Sequence, residues 1–404
     1  MSPPAEGVTV LQRAERRFGG FTFGAYLRNI DWVLLFVALA LSGIGLAMIY
    51  SATYQDSNID TPTAYVDSQL IGLILGLGGM VVLSLLDFSW LTGWRRYLYV
   101  GIVALLALTL VAGDERMGAR RWLTLPFFDL QTSELAKVVI ITSFGAFLSE
   151  GVELRNRLRF VILALGYVAF PAVLIFLQPD LGTSLVFAVV FFTMLLVWGA
   201  RWTHLAGLVL AGLAGIVVVL RVLPATFGIH LLKPYQLERL AVFLNPESDI
   251  SDAGYQLTQS KIAVASGMVT GKGFMEGTQT HLNFLPAHHT DFIFSVIGEE
   301  LGFVGAGLLL GLYLVFLWRA FRIAGMAKNL YGTLLASGII GVVLFQVFVN
   351  VGMTVGIMPI TGVPLPFVSF GSSSLVVFFL AVGLLQSIHV HSRTALYGGR
   401  VKGD

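Results

Sequence analysis

Apolar residues recur along this chain in ten long runs that are separated by more polar segments. A helix needs about 20 predominantly apolar residues to cross a bilayer. The runs fall near 31–52, 68–88, 97–113, 133–149, 159–178, 181–200, 203–224, 290–318, 330–357 and 365–389. The pattern therefore predicts an all-α polytopic integral membrane protein with ten transmembrane helices.

One connection stands out by its length. Residues 225–289 join the seventh and eighth predicted spans, and connections of that length usually carry function. Helical periodicity predicts an interfacial helix near 231–244 and a second short helix near 256–269. By contrast, only Gln178-Pro179-Asp180 separates the fifth span from the sixth, which predicts a tight turn between antiparallel helices.

The basic residues predict the orientation of these spans. Most of the 25 Lys and Arg residues fall in alternate connections, beginning with the N-terminal segment. Cytoplasmic loops carry the excess of Lys and Arg, so both termini are expected to be cytoplasmic. The expected organisation is a cytoplasmic N-terminal segment 1–30, a single ten-helix membrane domain 31–392 and a cytoplasmic tail 393–404. The long segment 225–289 then lies outside.

Composition supports a membrane protein and excludes several other classes. Hydrophobic residues make up 56% of the chain and charged residues 12%, against about 25% charged residues in soluble domains. There is no cysteine, so disulfides and thiolate metal sites are excluded. The polar, basic first 30 residues predict no cleavable signal peptide, and the first span is expected to act as the insertion signal. Basic residues are divided among short loops, which argues against nucleic acid binding.

The outer connections are more basic than the general bias predicts. The candidate residues are Arg120 and Arg121 after the third span, and Lys261 and Lys272 in the long loop; Arg116, Lys233 and Arg239 accompany them. An anionic ligand outside the membrane would explain them. The alternative is pairing with the acids nearby, which are Asp114, Glu115, Glu238, Glu247, Asp249 and Asp252.

Three acidic residues mark the eighth span. Asp291 stands at its outer mouth, and Glu299 and Glu300 lie inside it. Ionisable groups within a span are unfavourable and mark a functional site by default. The alternative is that Asp291 only caps the helix, although capping does not explain the two glutamates. Ser295 and Gly298 share the predicted helical face of Asp291, and their small size predicts an open groove beneath it.

Three further polar sets fall at the outer ends of spans. Glu134 and Lys137 are three residues apart, so they face each other on one helix and can neutralise each other or shape a cavity. Asp180 is a candidate helix cap or cavity wall. Ser369 and Ser373 lie in a stretch rich in proline and small residues, which predicts irregular backbone against protein or water. Topology places all these sets on one side, so they can converge on one outward-facing cavity.

Metal binding is the remaining candidate chemistry at this side of the chain. His288, His289 and Asp291 are close enough in sequence to ligate a divalent cation. Adjacent side chains rarely chelate one ion well, so the spacing favours other roles for them.

The ordered set of motifs resembles the SEDS family (shape, elongation, division and sporulation). The motifs are Gly118-Ala-Arg120-Arg121-Trp122, Gln131-Thr-Ser133-Glu134-Leu-Ala-Lys137, Gln178-Pro-Asp-Leu-Gly182, His289-Thr-Asp291-Phe-Ile-Phe and Pro364-Leu-Pro-Phe-Val-Ser369. Thr132 stands where the family usually has proline, and Phe370 and Ser372 are smaller departures. Asn245-Pro-Glu247, Gly254-Tyr-Gln256, Gln259-Ser-Lys261-Ile262, 271–279 and Leu282-Asn-Phe-Leu-Pro286 resemble the elongation member of the family more than the division member.

The resemblance implies a ten-helix peptidoglycan glycosyltransferase of the bacterial cytoplasmic membrane. Its substrate would be lipid II, an undecaprenyl-pyrophosphate-linked disaccharide pentapeptide, polymerised into glycan strands during cell elongation. Asp291 matches the family's catalytic aspartate, and the Glu134–Lys137 pair matches one believed to shape its central cavity. The implied partners are a class B penicillin-binding protein transpeptidase and the membrane and cytoskeletal proteins of the elongation complex.

The chemistry of that reaction indicates roles for the candidate residues. A lipid pyrophosphate leaves readily once its charge is neutralised, so the reaction needs one general base and nearby cations. Asp291 suits the base, and Arg120, Arg121, Lys261 and Lys272 are candidates for the pyrophosphate, with Mg²⁺ or another divalent cation as an additional candidate. Direct displacement would invert the donor linkage.

Two other functions remain compatible with the residues. A lipid II flippase would use the polar groups within spans, namely Glu134, Lys137, Glu299 and Glu300. A non-catalytic scaffold of the elongation complex would not need Asp291. Polymerisation by purified protein in detergent separates the enzyme from both.

Overall fold

The computed structural model describes residues 26, 28–54, 63–116, 119–125, 128–229, 232–244, 253–282 and 284–398. The remaining residues lie outside the description. They include most of the N-terminal segment, the end of the C-terminal tail, Gly118 and the acids Glu247, Asp249 and Asp252.

The described residues form thirteen helices, numbered here in chain order. They are α1 (Trp32–Tyr54), α2 (Ala64–Leu85), α3 (Arg95–Ala112), α4 (Thr132–Glu150), α5 (Leu158–Leu177), α6 (Leu181–Trp198), α7 (Trp202–Phe227), α8 (Pro234–Leu244), α9 (Ala253–Ser266), α10 (Thr278–His281), α11 (Ile293–Met326), α12 (Leu330–Thr354) and α13 (Ser372–Gly398). A 3₁₀ turn at Phe88–Trp94 leads into α3, and α7 contains a π-helical turn at Val218–Val222. Ten of these helices are long and apolar enough to cross a membrane, which confirms the ten predicted spans.

The centre of the bundle is formed by α4, α12 and α13, whose residues are mostly buried. Helix α12 packs against α6, α4 and α11, and α13 packs along α2. Helix α7 has no buried residue and lies at the periphery. The deep position of α4 explains its composition, because its polar residues contact protein rather than lipid.

A small antiparallel sheet follows α3. The sequence pattern did not predict this sheet. Its strands β1 (Asp114–Arg116), β2 (Ala119–Leu125) and β3 (Phe128–Gln131) run in the order β1-β2-β3. The strands are short and carry charged residues, so they show no hydrophobic alternation. Strand β3 leads directly into α4, which ties the sheet to the centre of the bundle.

The two helices predicted within the long segment 225–289 are present as α8 and α9. Helix α9 packs against α11, where the Ser260 hydroxyl contacts the Ser295 hydroxyl at 2.7 Å. The Ser260 hydroxyl also donates to the Thr354 carbonyl of α12 at 2.8 Å. Gly298 packs on Val264 of α9, so the predicted open groove beneath Asp291 is wrong: α9 fills it.

Helix α11 is broken at Gly302, which has φ 63° and ψ −163°. The segment that follows α9 supplies the missing backbone partners. Its carbonyls at Met268 and Val269 accept from the Phe303 and Val304 amides at 2.9 and 3.0 Å. In return, the amides of residues 272 and 273 donate to the carbonyls of residues 299 and 300 at 3.0 and 3.1 Å. This exchange satisfies backbone groups that a broken helix would otherwise leave unpaired in the membrane.

Candidate active site

Asp291 lies in the turn that precedes α11, outside the helix itself. The helix begins at Ile293 with Phe292 at the N-cap position and no side-chain capping bond. The prediction that Asp291 only caps the helix is therefore wrong. Its side chain is partly buried and lies beside Gly362, at the end of the bundle where α11 begins.

Two side chains hold the backbone around Asp291. The Asn350 amide nitrogen of α12 donates to the carbonyls of Asp291 and Val363, at 2.9 Å in each case. The Ser369 hydroxyl donates to the Thr290 carbonyl at 2.7 Å. The turn that carries the carboxylate and the irregular segment before α13 are thus fixed to each other and to α12.

The electrostatic surroundings of Asp291 come from three other parts of the chain. Burial raises the pKa of the Asp291 carboxyl above its ordinary value, and this is the largest effect. Arg239 on α8 lowers this pKa, Asp180 raises it and Arg121 on β2 lowers it. The net direction is upward, which gives the carboxylate a greater proton affinity than a solvated aspartate has.

Asp180 both caps a helix and belongs to this cluster, so the two alternatives for it coexist. Its carboxylate accepts from the Thr183 amide at 3.1 Å at the start of α6. It also accepts from the Ser133 hydroxyl of α4 at 3.3 Å. The turn before α6 is therefore anchored to α4 while its charge acts on Asp291.

The two arginines of β2 occupy different environments. Arg121 donates to the Gln178 carbonyl at 3.0 Å and to the Pro179 carbonyl, so it holds the turn that carries Asp180. Arg120 is exposed and pairs with Glu115 at 3.4 Å, which is the pairing alternative raised from the sequence. Arg121 acts on the pKa of Asp291, whereas Arg120 does not.

The lysines of the long loop lie apart from Asp291. The Lys272 ammonium pairs with Glu299 at 2.6 Å and donates to the Thr278 hydroxyl at 2.7 Å. Lys261 is exposed and lies against Gly356, where an added Cβ would come within 2.6 Å of its ammonium nitrogen. Neither lysine is among the groups that shift the pKa of Asp291. Their predicted pyrophosphate role stays a prediction without a geometric link to this carboxylate.

Glu134 and Lys137 form a buried ion pair within α4. The Lys137 ammonium lies 2.7 Å from one Glu134 oxygen and 2.8 Å from the other, and both side chains are only 2% exposed. The Phe378 ring of α13 lies 5.4 Å from the same ammonium. Lys137 also borders a small cavity between α4, α12 and α13.

Ser373 connects α13 to the sheet. Its hydroxyl accepts from the Gln131 amide at 3.0 Å and donates to the Asp129 carbonyl. Ser373 therefore fixes β3 against the start of α13, while Ser369 supports the turn before Asp291.

The two glutamates inside α11 have local partners. Glu299 accepts from Lys272, and also from the Gln279 amide at 3.0 Å. Glu300 accepts from the Ser51 hydroxyl of α1 at 2.6 Å and from the Met275 amide at 3.2 Å. Both bind the segment between α9 and α11 to the bundle. These contacts give Glu299 and Glu300 a structural role, so their presence within a span does not require a lipid II flippase.

The histidines near Asp291 do not fit a metal site made by protein alone. One ring nitrogen of His288 contacts the Leu285 carbonyl at 2.7 Å and the other contacts the Ala52 carbonyl at 3.0 Å. Within the described ranges there is no group of three or more His, Cys, Asp or Glu side chains that could hold a metal ion. A substrate pyrophosphate can bind Mg²⁺ mainly through its own oxygens, so the predicted divalent cation stays a prediction.

Tyr235 and Asn350 belong to this site although the sequence did not single them out, and so does Arg239, which the sequence pattern identified only as one of several basic residues. The Tyr235 hydroxyl donates to the Pro179 carbonyl at 3.1 Å, and the Arg239 guanidinium lies 5.7 Å from the Tyr235 ring. Their spacing of four residues on the predicted interfacial helix was the available signal, since it places both on one helical face. No sequence signal distinguished Asn350 from other polar residues in spans.

Comparison with known proteins places this geometry in context. The model of a cell cycle protein family, FtsW/RodA/SpoVE, matches residues 31–394. The chain is 37% identical to the peptidoglycan glycosyltransferase MrdB of Escherichia coli, over 90% of this chain and 95% of that protein. It is 38% identical to stage V sporulation protein E of Bacillus subtilis, over 90% and 98% of the two chains.

Solved structures agree with this similarity. A chain of a peptidoglycan synthase complex that coordinates polymerization and crosslinking superimposes with a TM-score of 0.73, at 34% identity, over 90% of this chain and 98% of that one. The rod shape determining protein RodA of Thermus thermophilus superimposes with a TM-score of 0.64, at 31% identity, over 89% and 96% of the chains.

Proposed function

Because the chain belongs to the FtsW/RodA/SpoVE family of cell cycle proteins, we propose that Asp291 is the general base of a peptidoglycan glycosyltransferase that polymerises lipid II. The Escherichia coli relative carries the name of that activity, and the family is the one that the sequence motifs resemble. Similarity to RodA agrees with the elongation type, so we assign the activity to glycan synthesis during cell elongation and rod-shape maintenance.

The reaction requires one proton transfer and one displacement. The Asp291 carboxylate accepts the proton of the acceptor sugar hydroxyl as its oxygen forms a bond to the donor anomeric carbon. The bond from that carbon to the pyrophosphate oxygen breaks, and the lipid pyrophosphate leaves with the electron pair. A single displacement inverts the linkage. The leaving group needs cations rather than a second carboxylic acid, unlike the pair of carboxylates in a glycosidase.

The observation that carries the proposal is the environment of the Asp291 carboxylate. It lies outside the helix end, partly buried, and its pKa is raised by burial. A general base is most effective when its pKa approaches the working pH, so the upward shift favours this role. The Asn350 side-chain amide also donates to the backbone carbonyl of Asp291, which fixes the main chain that carries the carboxylate.

The expected membrane orientation follows from the same assignment. The protein is a multi-pass membrane protein, and we place both termini in the cytoplasm because the basic connections fall on that side. Asp291 then faces outward, where the saccharide of lipid II is polymerised, and the lipid tail stays in the bilayer.

We also assign a class B penicillin-binding protein transpeptidase as the main partner, within a complex of elongation membrane and cytoskeletal proteins. Support comes from the similar chain in a synthase complex that coordinates polymerization with crosslinking.

Purified protein in detergent, with and without the transpeptidase, tests the proposal. Asp291→Asn preserves shape but cannot accept a proton near neutral pH, so polymerisation of lipid II should fall by at least about 10²-fold. Asp87→Asn is a matched control, because Asp87 is a carboxylate that pairs with Lys328 at 2.9 Å at a distant loop. An Asp291→Asn protein that polymerises lipid II at nearly the wild-type rate rejects the assignment. Retained partner binding by that inactive protein separates the enzyme from a scaffold.

A further inference from the structure

Gly362 leaves a gap between the carboxylate of Asp291 and the guanidinium of Arg239. A Cβ built on Gly362 would lie 3.3 Å from Oδ2 of Asp291 and 3.7 Å from Nη1 of Arg239. The φ of Gly362 is +70°, a left-handed conformation that favours glycine. Two opposite charges therefore flank one position that this sequence keeps free of a side chain. Both residues are described, and they form no direct ion pair with each other.

Arg239 is held at this position through α8. Its guanidinium lies over the Tyr235 ring, one turn earlier on the same helix. The Tyr235 hydroxyl in turn binds the Pro179 carbonyl, in the turn that carries Asp180. The interfacial helix is thus fixed to the outer end of the bundle with Arg239 directed at the gap, which fixes the cation in advance of any ligand.

The other charged groups that face Asp291 have structural partners. Arg121, from β2, uses Nε and Nη2 on the carbonyls of Gln178 and Pro179. Asp180, from the turn before α6, accepts from the start of that helix. Arg239, from α8, is the cation with the larger lowering effect on the pKa of Asp291. It is therefore the strongest candidate for neutralising a second negative charge in the gap.

We infer that the gap over Gly362 binds a phosphate oxygen of the lipid-linked pyrophosphate and that Arg239 is its cation. The inference rests on the proposed function, since that function supplies a pyrophosphate next to Asp291. Guanidinium groups match phosphate oxygens in geometry and keep their charge when partly desolvated. When the site holds no substrate, the same guanidinium offsets the charge of Asp291. When the pyrophosphate binds, Arg239 has a second anion to neutralise, and the proton affinity of Asp291 increases.

Binding of inorganic pyrophosphate to the full-length protein in detergent tests this without catalysis. Titration calorimetry should show binding at least tenfold weaker for Arg239→Gln than for the wild type. Arg96→Gln is the matched control, because it makes the same substitution at an exposed arginine at the start of α3 and should bind like the wild type. An Arg239→Gln protein that binds as well as Arg96→Gln overturns the inference.

Substitution of Gly362 tests the gap while both charged residues stay in place. Gly362→Ala puts a methyl group between Asp291 and Arg239, and it should also weaken pyrophosphate binding at least tenfold. Gly228→Ala controls for backbone strain alone, since Gly228 has a similar φ of +65° and an added Cβ would meet nothing within 4 Å. Equal binding by both alanine variants overturns the inference. The comparison of Gly362→Ala with Gly228→Ala remains informative even if Arg239→Gln does not fold.

Kinetics of lipid II polymerisation distinguish a functional cation from a structural one. Arg239→Gln should raise the KM for lipid II and move the acid limb of the pH profile to higher pH, because Asp291 loses the cation that lowers its pKa. Arg239→Lys should restore part of both effects, because lysine keeps the positive charge but lacks the planar guanidinium that can donate two parallel hydrogen bonds. An unchanged KM and acid limb in Arg239→Gln overturn the inference, whereas activity of Asp291→Asn would reject the proposed function itself.

Discussion

The amide nitrogen of Asn350 lies 2.9 Å from the carbonyl oxygen of Asp291 and the same distance from that of Val363. One side chain near the C-terminal end of the buried helix α12 thus fixes the two irregular segments that meet at this end of the bundle. Asn350 is fully buried, and its substitution would deprive both carbonyls of the hydrogen bond that it donates.

Asn350→Leu should therefore disorder the turn that carries the base while leaving the membrane fold in place. The kcat for lipid II polymerisation is expected to fall by about 10-fold or more, since small displacements of a catalytic group reduce rate strongly. Ser337→Ala is the control on the same helix, because its buried hydroxyl bonds only within the helix, to Leu334. If Asn350→Leu keeps the kcat of Ser337→Ala, Asn350 does not position the base.

The pH dependence of the wild type provides a second check on the base. The pKa of Asp291 is raised, so the active, ionised form is lost on acidification at a higher pH than for a solvated aspartate. Activity should be full above that pKa and fall about tenfold for each pH unit below it. The acid limb of the pH profile, where activity falls on acidification, is measured from initial rates in detergent at saturating lipid II. An acid limb at or below the ordinary aspartate pKa of about 3.9 contradicts the assignment.

The motifs and hydrophobic runs predicted the ten spans and the loop helices because each depends on local pattern. They did not predict the sheet β1-β2-β3, whose strands are too short and charged to show alternation. They also did not predict that the break at Gly302 brings the loop of Lys272 to Glu299. Such partners depend on tertiary contacts between distant segments, as the approach of Arg239 to Asp291 also does.

Lys272 and Glu299 are expected to act as a unit in stability rather than in substrate binding. Lys272→Ala leaves Glu299 buried without its cation, and Glu299 is the fully buried partner of the two. Lys272→Ala should thus lower thermal stability more than the double variant Lys272→Met/Glu299→Gln does, because the double change removes the unpaired charge. The KM for lipid II should change little. A large rise in KM at wild-type stability would instead support a role for Lys272 in binding the pyrophosphate.

The Glu134–Lys137 pair makes a related prediction at the centre of the bundle. Removing one partner from a buried pair costs about 3–5 kcal/mol, whereas removing both costs less because no charge is left behind. Lys137→Ala should unfold at lower temperature in detergent than Glu134→Ala/Lys137→Ala. Circular dichroism melting of both variants and the wild type measures the difference. Equal melting temperatures for Lys137→Ala and the wild type would show that the pair does not support the fold.

Gly267 controls the docking onto α11 of the loop that follows α9. An added Cβ there would lie 1.9 Å from the Gly298 carbonyl oxygen, a backbone atom that cannot move aside easily. Gly267→Ala should therefore push the loop away and expose the break at Gly302.

The measurement is amide hydrogen exchange at Phe303 and Val304, whose amides bind the carbonyls of that loop. Exchange should speed up in Gly267→Ala, and polymerisation should fall with it, because the loop also carries the partners of Glu299 and Glu300. Gly307→Ala is the control within α11, where an added Cβ meets nothing within 4 Å. It should leave exchange and activity near wild type, since alanine only favours the helix. Wild-type exchange in Gly267→Ala would show that the loop tolerates a side chain there and that close glycine packing does not hold it.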